Sequence, residues 1–229
     1  MSAATRQAYR EGLTAVAPLL VGVAPFGLAF GVAAGQSAIG GGLGYATSII
    51  IFGGAAQLAA VQLFDVGATA AVIIGTALVI NARHLMYSAA LAPHFREFPT
   101  LWRFVLPYVM TDQAFAVSIT RYETVSDPAY KRRFYLGAAL GLWFTWQATT
   151  GLGALAGASV PDSWSLDFAI PLVFLGLLIP TVTSRPALVA AIVGGGIAVV
   201  GAAIPYNLGL IIGALSGIAA GVIAERTAP

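Results

Sequence analysis

Residues 76–93 read TALVINARHLMYSAALAP. The stretch begins as an apolar helix and then places Asn81, Arg83, His84, Tyr87 and Ser88 within two turns. A helix advances about 100° per residue, so these five side chains share an arc of roughly 160°. Ala82, Leu85 and Met86 take the opposite arc. The helix is therefore polar on one half while still inside a long hydrophobic run. A second polar interruption, Asp112–Gln113, falls in the middle of the next apolar segment. Placing Arg or Asp at the centre of a lipid-embedded helix costs about 2.5–3.5 kcal/mol. Such groups persist where they face a partner, a cavity or a substrate, so the rest of the chain reads as a scaffold that holds them inside a bilayer.

Composition agrees. The 229 residues are 59% hydrophobic and 9% charged, with a mean hydropathy of +0.87. A soluble domain is about 25% charged. The expected class is an all-α integral membrane protein: one membrane domain, with a cytoplasmic N-terminus over 1–12, a transmembrane bundle over 13–223 and a tail over 224–229. A net charge of +2 is too weak to point to nucleic acid. Zero cysteines exclude disulfides, iron–sulfur clusters and thiolate zinc sites, and two histidines make no metal centre, so no cofactor is expected. Arg6 and Arg10 ahead of an apolar run mimic a signal peptide, but the run continues to Ala34 and carries Pro18 and Pro25, which reads as a retained span.

Spans of about 20 residues are expected over 13–34, 43–64, 67–91, 104–120, 134–156, 168–183, 187–203 and 206–223. The tight connection Asp65–Val66–Gly67 leaves a count of seven or eight open, since spans two and three could form a hairpin that does not fully cross, and spans four and six, at about 17 residues, are short enough to be broken or poorly aligned with the membrane normal. With eight crossings and the N-terminus inside, Arg6, Arg10, Arg121, Lys131, Arg132, Arg133, Arg185 and Arg226 fall inside, while Arg96 and Arg103 fall outside. That asymmetry favours both termini in the cytoplasm. Several spans carry helix-breaking or close-packing residues: Pro25 with Gly27 and Gly31, then Gly53, Pro107, Pro171, Pro180 and Pro205. Gly209, Gly213, Gly217 and Gly221 share one face of the last span, which reads as intramolecular packing ahead of a docking face for another subunit. Segments 21–91 and 135–217 show a correspondence that fits an inverted repeat, as in many secondary transporters.

Arg83 and Asp112 form the sharpest pair. Antiparallel neighbouring helices could bring them together as a permanent ion pair, as the two ends of an amino-acid site, or with Asp112 as a proton carrier. His84 reads either as a proton relay or as a histidine satisfied by hydrogen bonds. Gln57 lies one turn after Gly53, facing a cavity or bonding between helices. Asn81, Tyr87 and Gln113 complete the candidate substrate or coupling set. Trp143, Trp146 and Gln147 sit mid-span as pocket wall or packing, Trp102 and Trp164 as interface anchors, and Asn207 as an N-cap. His84, Ser88 and Asp112 contain the ingredients of a hydrolytic triad without a nucleophile elbow, and no Walker loop is present, so no enzyme is expected.

Five stretches carry a family likeness: APFGLAFG at 24–31, FGGAAQLAAVQL at 52–63, NARHLMYSAALAP at 81–93, TDQAFA at 111–116 and PYNLGLIIGALSG at 205–217. Over about 24–220 the chain resembles the azaleucine-resistance permeases, the AzlC-type large subunit of branched-chain amino-acid exporters. Gln113 departs from the family pattern, which often has an acid there. The resemblance implies export of leucine, isoleucine, valine and methionine across a prokaryotic inner membrane, together with a small separate membrane subunit of the AzlD type. Two other classes remain open from the residues: a non-transporting membrane scaffold, and a narrow channel for small solutes.

Overall fold

The computed structural model of the chain describes residues 3–157, 182, 184–205 and 208–227. All regular structure among them is helical. Two compact units divide the chain, one within residues 1–170 and one within residues 171–229. The first contains α1 (Ala3–Gln36), α2 (Gly40–Ile50), α3 (Gly54–Asp65), α4 (Ala70–Asn81), α5 (Arg83–Phe95), α6 (Thr100–Tyr108), α7 (Asp112–Tyr122) and α8 (Pro128–Gly157). The second contains α9 (Arg185–Val200), a 3-10 turn (Gly201–Ala203) and α10 (Leu208–Thr227). Among the described residues three helices are long and apolar enough to cross a membrane: Thr5–Gln36 of α1, α9 with its 3-10 extension, and α10; the bent pair α4–α5 makes a fourth if it is one span.

The spine of the first unit is α1 against α8. The two run parallel: Gly12 meets Phe134 and Ala138, Gly27 meets Trp146 and Thr149, and Gly31 meets Thr150 and Ala154. The backbones touch, so a side-chain carbon added at Gly12 would sit 2.9 Å from Ala138 N, and one at Gly153 would sit 2.9 Å from Val32 N. Lipid tails are as apolar as leucine, so this close approach, not water exclusion, holds the helices together. The 30-residue α8 runs alongside α1, from Tyr9–Gly137 to Val32–Gly157. Pro25 does not break its helix as expected, for α1 is continuous through Pro18 and Pro25. A proline costs a helix one backbone bond, a loss that membrane helices absorb where a neighbour braces them, as α8 does here.

Spans two and four turn out otherwise than predicted. Each reverses direction at its middle and leaves on the side it came from. In the first, Gln57 on α3 donates to Thr47 Oγ1 and Ser48 Oγ on α2, at 2.9 and 3.0 Å. Ser37 and Ala38, before α2, donate to the carboxylate of Asp65, the last residue of α3, at 2.5 and 2.9 Å. Residues ten and twenty-seven apart can meet in this way only if the chain folds back. The reversal is at Phe52–Gly53, where Phe52 takes φ +43°. In the second, α6 runs antiparallel to α5: a cavity of about 220 Å³ is lined by Ser88, Ala92 and Arg96 on one side and by Met110, Pro107 and Arg103 on the other. By contrast α7 runs parallel to α5, with Arg83 beside Asp112, Tyr87 on Phe115 and His94 on Tyr122. The chain therefore turns back between α6 and α7, at residues 109–111. Helices of 9 to 12 residues span about 14–18 Å, half a bilayer core. The sequence marks the reversals only weakly: the α2/α3 arms are as apolar as a span, and span four is merely short, at about 17 residues.

This topology moves two arginines. Arg96 and Arg103, expected outside, lie at the same end of the unit as the N-terminal part of α1. There Arg121 pairs with Glu11 at 2.8 Å, Lys131 Nζ lies 3.2 Å from His94 Nδ1, and Arg132 sits over Trp102. The repeat reading also changes. An inverted repeat in the expected register would set α1 and α8 antiparallel, whereas they are parallel. The opposed elements are instead the hairpins α2/α3 and α6/α7, which enter from opposite ends.

In the second unit α9 and α10 pack antiparallel through glycine, with Gly201 against Gly209 and Gly194 against Gly213 and Gly217. The glycine face of the last span is thus used internally. Pro205 follows the 3-10 turn and separates the two helices. Span six, Trp164, Pro171, Pro180 and Asn207 fall outside the described residues.

Candidate functional site

Three interruptions of helix meet in the first unit. Each frees backbone groups that lipid cannot satisfy. At the α2/α3 tip, Gln147 of α8 donates to Ser48 O at 2.9 Å and Tyr108, at the end of α6, donates to Ile49 O. Gln57 accepts from Gly53 N–H at 3.1 Å. At the α6/α7 tip, Pro107 and the tightened turn after it end α6, with Met110 N bonding to Pro107 O at 3.3 Å. Thr111 then caps α7, its hydroxyl accepting from Ala114 N–H at 3.1 Å, and Asp112 adds a negative charge to the helix start. At the third, α4 and α5 bend by 43° around Ala82. The freed Asn81 carbonyl accepts from His84 Nδ1 at 3.1 Å, which puts the ring proton on that nitrogen.

The three points touch pairwise. The Tyr108 bond ties the α6 end to the α2 end. Asn81 lies against Gly53, where an added carbon would come within 2.9 Å of its Oδ1. Arg83 Nη1 stands 3.6 Å from Asp112 Oδ2, and the two side chains are 38% and 43% exposed. The pair is longer than a tight charge-assisted bond and only partly buried. Asn81 Oδ1 and Arg83 Nε are buried with no partner among the described residues. Buried polar atoms are nearly always bonded, so an orphan acceptor and an orphan donor two residues apart in the chain mark a place for water or a ligand.

The predicted site residues divide. Asn81, Arg83 and Asp112 converge, with Gln113 half-buried beside Asp112 in the first turn of α7. His84 holds the α4–α5 bend, and Tyr87 stacks on Phe115 at 4.5 Å. Gln57 is fully buried and all its bonds go to the α2/α3 tip, so it fastens the hairpin in place of facing a cavity. Trp146 lies between Phe26 and Phe30 and beside Gly54. Thr47, Ser48 and Tyr108 are the residues that sequence reasoning passed over. Their signals were a hydroxyl pair just before Phe52–Gly53–Gly54 and a tyrosine directly after Pro107.

Known proteins bear on the same region. The chain is 33% identical over 215 residues to an uncharacterized membrane protein of Archaeoglobus fulgidus, covering 91% of this chain and 92% of that one. It is 24% identical over 175 residues to an uncharacterized membrane protein of Helicobacter pylori, covering 75% and 74%. No solved structure matches it. The family model described as AzlC protein matches residues 18–160, a range that takes in both hairpins and all three interruptions. The chain is a membrane protein and belongs to the AzlC family.

Proposed function

We propose that the chain is a secondary exporter of branched-chain amino acids in a prokaryotic inner membrane. Membership of a family of membrane transporters supports the class, and the meeting of three helix interruptions around the partly exposed Arg83–Asp112 pair carries the reading. Transporters place discontinuous helices around a midplane site in the same way. A zwitterion needs a cation for its carboxylate and acceptors for its ammonium group. Arg83 takes the carboxylate, with its unpartnered Nε as the free donor. Asp112 and Asn81 Oδ1 take the ammonium group, or Asp112 carries a coupled proton. Phe26, Phe30 and Trp146 supply apolar surface beside Gly54. The likeness to AzlC-type subunits supports a small AzlD-type partner. Arg96 and Arg103 at the N-terminal end of the unit, with Arg6, Arg10, Arg121 and Lys131–Arg133, support a cytoplasmic N-terminus.

Efflux from valine-loaded proteoliposomes, with and without an imposed proton gradient and with the small partner supplied, tests this. Loss of one charge-assisted bond, about 1.5–3 kcal/mol, predicts about 10–100-fold slower efflux in Asp112→Asn and in Arg83→Ala. Unchanged efflux in both would discard the site. One observation favours a second reading: half-length hairpins that meet tip to tip from opposite ends also suit a narrow channel. A channel predicts flux that ignores the proton gradient and does not saturate with valine.

A further inference from the structure

Away from the helix interruptions, a cleft of about 1030 Å³ opens between the N-terminal part of α1, the end of α7 and the start of α8. Its lining changes character along the helix axes. Arg6, Arg10, Arg121 and Thr124 stand at one end, Gln7, Glu11, Thr14 and Thr120 follow, and Ala15, Val117 and Phe134 form the apolar part. Three arginines face one acid there. Glu11 is already engaged, by Arg121 at 2.8 Å and by the Tyr130 hydroxyl. Arg6 and Arg10 are exposed, and neither has an acidic partner among the described residues.

We infer that this cleft seats an anionic phospholipid, its phosphodiester on Arg6 and Arg10 and its first methylenes along Ala15, Val117 and Phe134. The gradient from charged to apolar follows the axis of α1, a helix long and apolar enough to cross a membrane, an orientation that puts the basic end at headgroup level and the apolar end at acyl level. A small polar solute has no use for the apolar half. A lone phosphate ion would be lost in a volume at the upper end of ligand pockets, roughly 300–1,000 Å³. Basic clefts between membrane helices at the cytoplasmic surface recognise anionic headgroups by this chemistry. The inference does not depend on what the chain transports.

The test uses the purified full-length chain in detergent, with bound lipid counted by native mass spectrometry. Phosphatidylglycerol, phosphatidylcholine and inorganic phosphate are titrated separately. The wild type is expected to retain phosphatidylglycerol over phosphatidylcholine, and excess inorganic phosphate is expected not to displace it. The double variant Arg6→Gln/Arg10→Gln, both positions exposed, is expected to bind phosphatidylglycerol about thirtyfold more weakly. Thr120→Trp fills the cleft without changing its charge and is expected to weaken binding too. Equal retention of both lipids, displacement by phosphate, or undiminished binding in the double variant would each overturn the site. Undiminished binding in Thr120→Trp would place the lipid on the surface outside the cleft and overturn it as well.

Discussion

Gln57 shows how a polar residue inside a membrane earns its place without touching cargo. Its amide fastens Thr47, Ser48 and Gly53, so the α2/α3 tip is held by three hydrogen bonds from one fully buried side chain. Gln57→Leu keeps the volume and leaves those partners unpaired, at about 1–3 kcal/mol for a buried group. The expected outcome is faster hydrogen exchange across residues 48–58, with the α1–α8 contact unaffected; unchanged exchange at the tip would show that the amide does not hold it. Arg83 and Asp112 behave differently. They stand 3.6 Å apart and stay partly exposed, so each keeps polar atoms that the other does not engage. Both residues were legible in the sequence, because an Arg and an Asp inside apolar runs stand out on cost alone. Tyr108 was not, because a tyrosine beside a proline in a hydrophobic segment reads as an interface anchor until the carbonyl it caps is seen.

Elements were harder to read than residues. An apolar segment of 22 residues that crosses a bilayer and one that enters halfway and returns have the same hydropathy. Only the Gly53–Gly54 pair and the Pro107–Thr111 run mark the reversals, and both resemble ordinary kinks. By contrast Gly27 and Gly31 of α1 announced close packing, though not its direction, and packing against α8 is what they do. Gly153→Ala sets a carbon 2.9 Å from Val32 N and should destabilise the unit by about 1–3 kcal/mol, as overpacking does. Gly75→Ala, on α4 with nothing within 4 Å, is the control and should be neutral or slightly stabilising. Thermal unfolding in one detergent compares them; equal effects would mean that α1 and α8 do not touch backbone to backbone.

At the scale of the whole molecule, topology and function test each other. The chain has no cysteine, so a single introduced thiol can be labelled without background. Cysteines at Thr100 and Ser126 should react from the side of the N-terminus, and one at Val66 from the opposite side. An eight-span bundle would instead put Val66 on the side of the N-terminus and Thr100 on the opposite side. Both hairpin tips then lie inside the protein, and the amino acid must reach them to be moved. The decisive measurement is valine protection of Gln113→Cys, one residue from Asp112 in the first turn of α7. A membrane-impermeant thiol reagent should label this cysteine more slowly as valine is added, while Glu97→Cys, exposed at the end of α5, labels at a constant rate. Equal labelling of Gln113→Cys with and without saturating valine would contradict an amino-acid site at the meeting of the three interruptions.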